Sequence, residues 1–146
     1  MTDYPTAHAH RIIGSAFYDL LIILGLLMIA GFIAVGIYHF ITGKEAIPAN
    51  NLLFQLYLLS VISGYFLYFW KHSGQTVGMK AWRIKLVNLK NESISVKQLV
   101  IRQLVAIPAY CLLFIGVLWQ YWDKSRLSWH DHASSTKLIY IPKKKH

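Results

Sequence analysis

Between Ile12 and Phe40 the chain carries a single Asp, Glu, Lys or Arg side chain, Asp19, in an otherwise apolar run. Wound as a helix at about 1.5 Å per residue, such a run exceeds the roughly 30 Å of a bilayer's hydrocarbon core. A second run, about 52–70, has no charged residue at all and ends in "YFLYFW", an aromatic belt of the kind found at the water boundary. With 55% hydrophobic residues in a chain of 146, the profile is that of an integral membrane protein forming one compact domain, 1–146.

The first span is expected over about 12–40, with Tyr38 and His39 at its far interface. Ala30 and Ala34 form a small-xxx-small pair, and Gly25, Gly31 and Gly36 also thin the surface, which lets another helix approach. A turn-rich connector, Thr42 to Asn51, leads to the second span. Lys71 follows that span at once, so the hairpin has both ends on the basic side and a cytoplasmic N-terminus.

The formal net charge is +9. In a soluble protein that excess would suggest nucleic acid, but no groove-reading motif accompanies it. The basic residues instead lie between and after the apolar runs. In the loop 71–102, Lys80, Arg83, Lys85, Lys90, Lys97 and Arg102 stand against Glu92 alone. This bias predicts a cytoplasmic loop touching anionic headgroups. Alternating apolar and polar residues predict strands near Arg83 to Leu89 and Thr136 to Ile141.

The third apolar run, 104–122, is long enough for one crossing, yet both its flanks are basic. The tail 123–146 contributes Lys124, Arg126, Lys137 and Lys143 to Lys145. Pro108 removes a backbone donor and tends to break a helix, so the segment either spans or re-enters as two half-helices. Pairing of the two strands favours re-entry, since both must then lie on one side. The expected fold is an all-α integral membrane protein with two transmembrane helices, a third Pro-containing membrane segment and a small cytoplasmic β element.

The single cysteine, Cys111, cannot form an intramolecular disulfide and lies in an apolar run, where packing is its expected role. The first apolar run is about twice the length of a signal-peptide core and contains Asp19, so it is expected to stay in the mature protein.

Arg11, Ser15 and Asp19, spaced by four, form a polar stripe on the first helix, with Asp19 about 12 Å deeper than Arg11. An ionised aspartate near a helix centre costs roughly 2.5–3.5 kcal/mol on insertion scales, so it must meet a partner, face a cavity or carry a proton. Burial favours the neutral acid and a neighbouring cation favours the carboxylate, an opposition that a proton-for-cation exchange site uses. A structural ion pair or a hydrogen bond to a neighbouring helix explains the same residue equally well.

A second constellation, "WDKSRLSWHDHASSTKLIYI", brings Asp123, Arg126, His130, Asp131 and His132 together. On a strand His130 and His132 would share a face and could hold one metal, but two histidines lack a third ligand. The commoner explanation is a hydrogen-bonded turn anchored through Asp131 to backbone donors or to an arginine. Gly74 and Gly78 in "GQTVG" permit a tight turn or close helix contact. The pattern is neither a Walker sequence nor a dinucleotide fingerprint.

These elements resemble, in order, those of the RDD family, small bacterial membrane proteins named for one arginine and two aspartates. Arg11 and Asp19 match its first pair. "GQTVGMKAWRIKLV" is similar to its "GQT-G-K" stretch, which maps to Gly74, Gln75, Thr76, Gly78 and Lys80. "RLSWHDHASSTKLIYI" is similar to its closing "HD…T" element, which takes in Arg126, His130 and Thr136 and makes Asp131 the second aspartate. Ser135 stands where a glycine is more usual. The resemblance implies a multi-pass protein of the bacterial inner membrane.

Two functions follow as expectations. One is an oligomeric transporter that exchanges small cations and protons at Asp19, helped by Arg11 and Asp131. The other is a non-catalytic scaffold or assembly factor for a partner membrane protein. Ser134, Ser135 and His130 are close in sequence, but proximity is not triad geometry, so no catalytic set, metal or cofactor is expected.

Overall fold

In the computed structural model the described residues are 5–90, 92–111, 119–122, 124, 127 and 129–142. The chain is mostly helical. Helix α1 (Ala9–Thr42) is followed by α2 (Leu52–His72), a short α3 (Val77–Ala81), strand β1 (Ile84–Asn88) and α4 (Val96–Cys111). A single 3-10 turn at Trp119–Tyr121, α5 (Trp129–Ser134) and β2 (Thr136–Tyr140) complete it.

α1 and α2 are the two helices, among the described residues, long and apolar enough to cross a membrane. α1 has 34 residues and stops at Gly43, whose φ of 69° is the left-handed conformation glycine takes most readily; its N–H returns to the His39 carbonyl at 2.8 Å. α2 starts where the Asn51 side chain accepts the Phe54 N–H at 3.0 Å, which satisfies one of the orphan donors of a helix start.

The hairpin is thinly packed along most of its length. On α1 the buried residues Ile12, Ser15, Asp19, Ile23 and Ala30 follow spacings of three, four and seven that mark one face, and the rest of the helix beyond Ala9 is half-buried or exposed. Ala30 lies on this seam, where its carbonyl accepts from Tyr57 Oη at 3.4 Å. Within the chain a Cβ at Gly25, Gly31 or Gly36 would meet nothing within 4 Å. These three glycines therefore do not bring α2 close.

Burial concentrates at the other end, where the helix starts and ends meet a cap. Ile12, Trp70, Met79, Ile84, Leu86, Leu99 and Leu138 form its apolar core. β1 and β2 pair antiparallel, Leu86 opposite Leu138, with both residues pointing into that core. The strand ranges are 84–88 and 136–140, against 83–89 and 136–141 from the alternation of the sequence. The N-terminal segment adds an edge to β2: Ala7 donates its N–H to the Leu138 carbonyl at 2.8 Å, and Pro5 accepts from Tyr140 N–H at 2.9 Å.

The third segment corrects the sequence boundaries. α4 begins at Val96, inside what reads as the loop 71–102, and continues through Pro108 to Cys111. Its start is a reciprocal cap: Gln98 N–H donates to Ser95 Oγ at 3.2 Å, and Ser95 N–H donates to Gln98 Oε1 at 3.0 Å. Arg102 is thus a helical residue, 2% exposed, rather than a loop residue. The middle of the 104–122 run lies outside the described residues, and so does the tail beyond Pro142.

Candidate functional site: the Asp19 carboxylate and its donors

Asp19 is 4% exposed, and three donors from three parts of the chain converge on it. Tyr65 Oη on α2 donates to Oδ1 at 2.7 Å. Thr76 Oγ1 donates to Oδ2 at 2.5 Å, and the Gly78 backbone N–H donates to Oδ1 at 2.9 Å. Each hydrogen bond to a charged group contributes about 1.5–3 kcal/mol. Three of them therefore more than offset an insertion cost of roughly 2.5–3.5 kcal/mol.

The "GQTVG" stretch is built to deliver these donors. Gly74, at φ 69°, ends α2 with its N–H on the Trp70 carbonyl at 3.1 Å, and its own carbonyl accepts from Leu86 N–H at 2.8 Å. Gln75 Nε2 donates to the Ile84 carbonyl at 2.8 Å, which ties the turn to β1. Thr76 caps α3: its Oγ1 accepts the Met79 N–H at 3.2 Å and turns its own proton to Asp19. Gly78 must lack a side chain, since a Cβ there would overlap the Ser15 carbonyl oxygen of α1. Lys80, grouped with these residues in the sequence, is exposed and contributes its backbone carbonyl to Arg83 N–H at 3.2 Å.

The stripe Arg11–Ser15–Asp19 does not act as one site. Arg11 does not reach Asp19; its Nη1 donates to the Trp82 carbonyl at 3.4 Å, and its guanidinium carbon lies 4.2 Å from the centre of the Tyr140 ring. Ser15 Oγ donates to the Ile12 carbonyl of its own helix at 2.8 Å. The reason is geometric, because the cap covers the N-terminal turns of α1 with different elements at each level. Trp82 covers Gly14, where a Cβ would overlap the indole, and it meets Tyr18 edge to face with ring centres 6.4 Å apart. Nothing in the sequence reading singled out Gly14 or Trp82.

Asp131 belongs to a second buried site. It forms an ion pair with Arg102 Nη1, and both side chains are 3% exposed. The same Nη1 donates to Thr136 Oγ1 at 3.0 Å, and the hydroxyls of Thr136 and Ser134 are 2.6 Å apart. The Arg102 guanidinium carbon lies over the Trp70 ring at 5.5 Å, which sets this cluster against the same core that Met79 and Ile84 line. Arg102 Nε and Trp70 Nε1 are buried with no acceptor among the described residues. Asp131 therefore serves the junction of α4, α5 and β2 rather than Asp19.

His130 and His132 lie on helix α5 and not on a strand, which undoes the shared-face argument for a metal. Among the described residues no group of three His, Cys, Asp or Glu side chains is placed to hold a metal ion. Arg126 lies outside the described residues, and of His130 the backbone alone is described.

The model of the RDD family matches residues 6–135, which takes in α1, the Asp19 site and the Arg102–Asp131 pair. The chain belongs to the RDD family. This is a membrane family, in keeping with the two apolar helices. No curated protein and no solved structure matches the chain. Of the three residues singled out by the resemblance, Asp19 and Asp131 are both buried acids with protein partners, whereas Arg11 lies apart from both.

Proposed function

We propose that this RDD-family chain is a non-catalytic scaffold or assembly module of the bacterial cytoplasmic membrane. Two buried acid sites lock its hairpin to a cytoplasmic cap, and a partner membrane protein or further copies of the chain cover the outer faces of α1 and α2. The observation that carries this reading is the engagement of Asp19 by Tyr65, Thr76 and Gly78. Donors from α2, the following turn and α3 commit the acid to joining elements.

The basic residues of the cap support a cytoplasmic N-terminus and cap, as charge bias across loops directs. The Arg102–Asp131 pair supports a re-entrant third segment, because it brackets the run between them. A single crossing would pull those two residues apart by about 30 Å. The same bias supports contact with anionic lipid.

The test is flux against stability. Purified protein in proteoliposomes is expected to move no protons in response to a cation gradient, and Asp19→Asn to lower the folded fraction and the recovery of the partner complex together. Ion-driven proton movement that Asp19→Asn abolishes at an unchanged melting temperature would overturn the scaffold reading.

One observation favours the second reading, an oligomeric cation/proton exchanger. The hydroxyls of Tyr65 and Thr76 both donate to the Asp19 carboxylate, so a titratable acid at membrane depth has two exchangeable protons on it. Intramembrane acids are the residues on which proton relays are built. The proteoliposome assay separates the two readings in one experiment.

A further inference from the structure

We propose that the groove between the C-terminal end of α2 and β1 binds the headgroup of an aminophospholipid, a ligand that carries both a phosphodiester and a primary ammonium. The groove has a volume of about 490 Å³ and is walled by Trp70, His72, Lys85, Asn88, Glu92 and Ile94, among others. That volume falls within the roughly 300–1,000 Å³ usual for small-molecule sites. Its depth in the membrane follows from α2, whose last turn holds Trp70, Lys71 and His72 at the end of an apolar span. Tryptophan and basic residues at such a position mark the headgroup layer.

The charges that line the groove are of both signs. Lys85 supplies a cation and Glu92 an anion, with the His72 imidazole beside them. Two of the three are held in place. The Lys85 stem lies against Gly74, where a Cβ would come within 3.2 Å of its Cε, and the His72 ring stacks on Tyr68 with centres 5.8 Å apart. Lys71 is otherwise engaged, since its Nζ donates to the Ile94 carbonyl at 3.0 Å.

A ligand that satisfies this set brings its phosphate oxygens to Lys85 and His72 and an N–H-bearing cation to Glu92. A purely anionic headgroup leaves the Glu92 carboxylate unmatched and close to its own charge. A choline headgroup carries a cation with no N–H to donate. Phosphoethanolamine has both functions in one small unit. The proposal rests on the membrane assignment and not on the role of Asp19.

Native mass spectrometry of the full chain in detergent tests it, with phosphatidylethanolamine, phosphatidylglycerol and phosphatidylcholine added in turn and inorganic phosphate as competitor. The expected result is a phosphatidylethanolamine adduct that exceeds the other two and survives millimolar phosphate. Lys85→Gln is expected to weaken it about tenfold, equivalent to about 1.4 kcal/mol. Glu92→Gln, at an exposed position, is expected to keep the fold and erase the preference over phosphatidylglycerol. Equal adducts from all three lipids, a preference for phosphatidylglycerol, displacement by inorganic phosphate, or a preference that Glu92→Gln leaves intact would each overturn the proposal. Circular dichroism of both variants reports whether the fold is kept, and Glu92→Gln decides the matter if Lys85→Gln fails to fold.

Discussion

Gly78 donates its N–H to Asp19 Oδ1 at 2.9 Å, and the two residues are so close that a Cβ at position 78 would lie 2.8 Å from the Asp19 carboxyl carbon. The backbone of α3 therefore rests directly on α1. One glycine makes both the hydrogen bond and the helix contact, so the acid and the cap cannot be separated without disturbing each other.

Gly78→Ala is expected to destabilise strongly, because the methyl group meets the Ser15 carbonyl of α1, which cannot rotate away. Overpacking costs about 1–3 kcal/mol, and displacement of α3 weakens the Asp19 bond in addition. Gly25→Ala is the control: a Cβ there meets nothing, and the change of helix propensity gains up to about 1 kcal/mol. Melting of the two variants in detergent should move in opposite directions.

Arg102→Met leaves Asp131 buried without its cation, and breaking a buried pair costs about 3–5 kcal/mol. Arg102→Met with Asp131→Leu removes both charges, so the double variant is expected to be more stable than either single one. Chemical denaturation of the three variants measures this. A double variant less stable than both singles would show that the cluster needs charge for more than pairing.

Ser135 has φ 54°, in the left-handed region, and its carbonyl accepts the Leu89 N–H at 3.0 Å. A non-glycine residue there costs roughly 1–2 kcal/mol. That strain fits the resemblance noted above, in which a glycine is more usual at this position. Ser135→Gly is expected to raise the melting temperature, with a gain of about 1 kcal/mol in stability.

The β1–β2 ladder sets Val87 opposite Lys137, so Lys85 and Lys137 share one cap. In a Cys111→Ser background, Lys85→Cys and Lys137→Cys are each expected to react with an impermeant maleimide from the same side of the membrane. Opposite-side labelling would remove the re-entrant segment from the account.

Much of this architecture is legible in the sequence, because apolar length and charge bias are strong signals in a membrane chain. Two long apolar runs mark α1 and α2, and the alternation in "RIKLV" and "TKLIY" marks the strands. The burial of Asp19 follows from its depth alone. Its partners do not, since Tyr65 and Gly78 lie 46 and 59 residues away and only the fold brings them near. Helix spacing puts Arg11 and Asp19 on one face but does not show which neighbour covers each level of it. One further signal is readable in the sequence. "SVKQ", Ser95 to Gln98, is a capping-box pattern that starts α4 eight residues before the apolar run. It would have moved Arg102 from a loop into a helix, and so made it the arginine that Asp131 requires.

The central claim is that the Asp19 carboxylate works by tying α1 to the elements that donate to it. A double-mutant cycle of Asp19→Asn and Tyr65→Phe, read as unfolding free energy in detergent, tests this at one bond of 2.7 Å. The account predicts a coupling of roughly 1–3 kcal/mol, as for contacting residues in one hydrogen-bonded network. Losses that simply add, with coupling below about 0.5 kcal/mol, would contradict it.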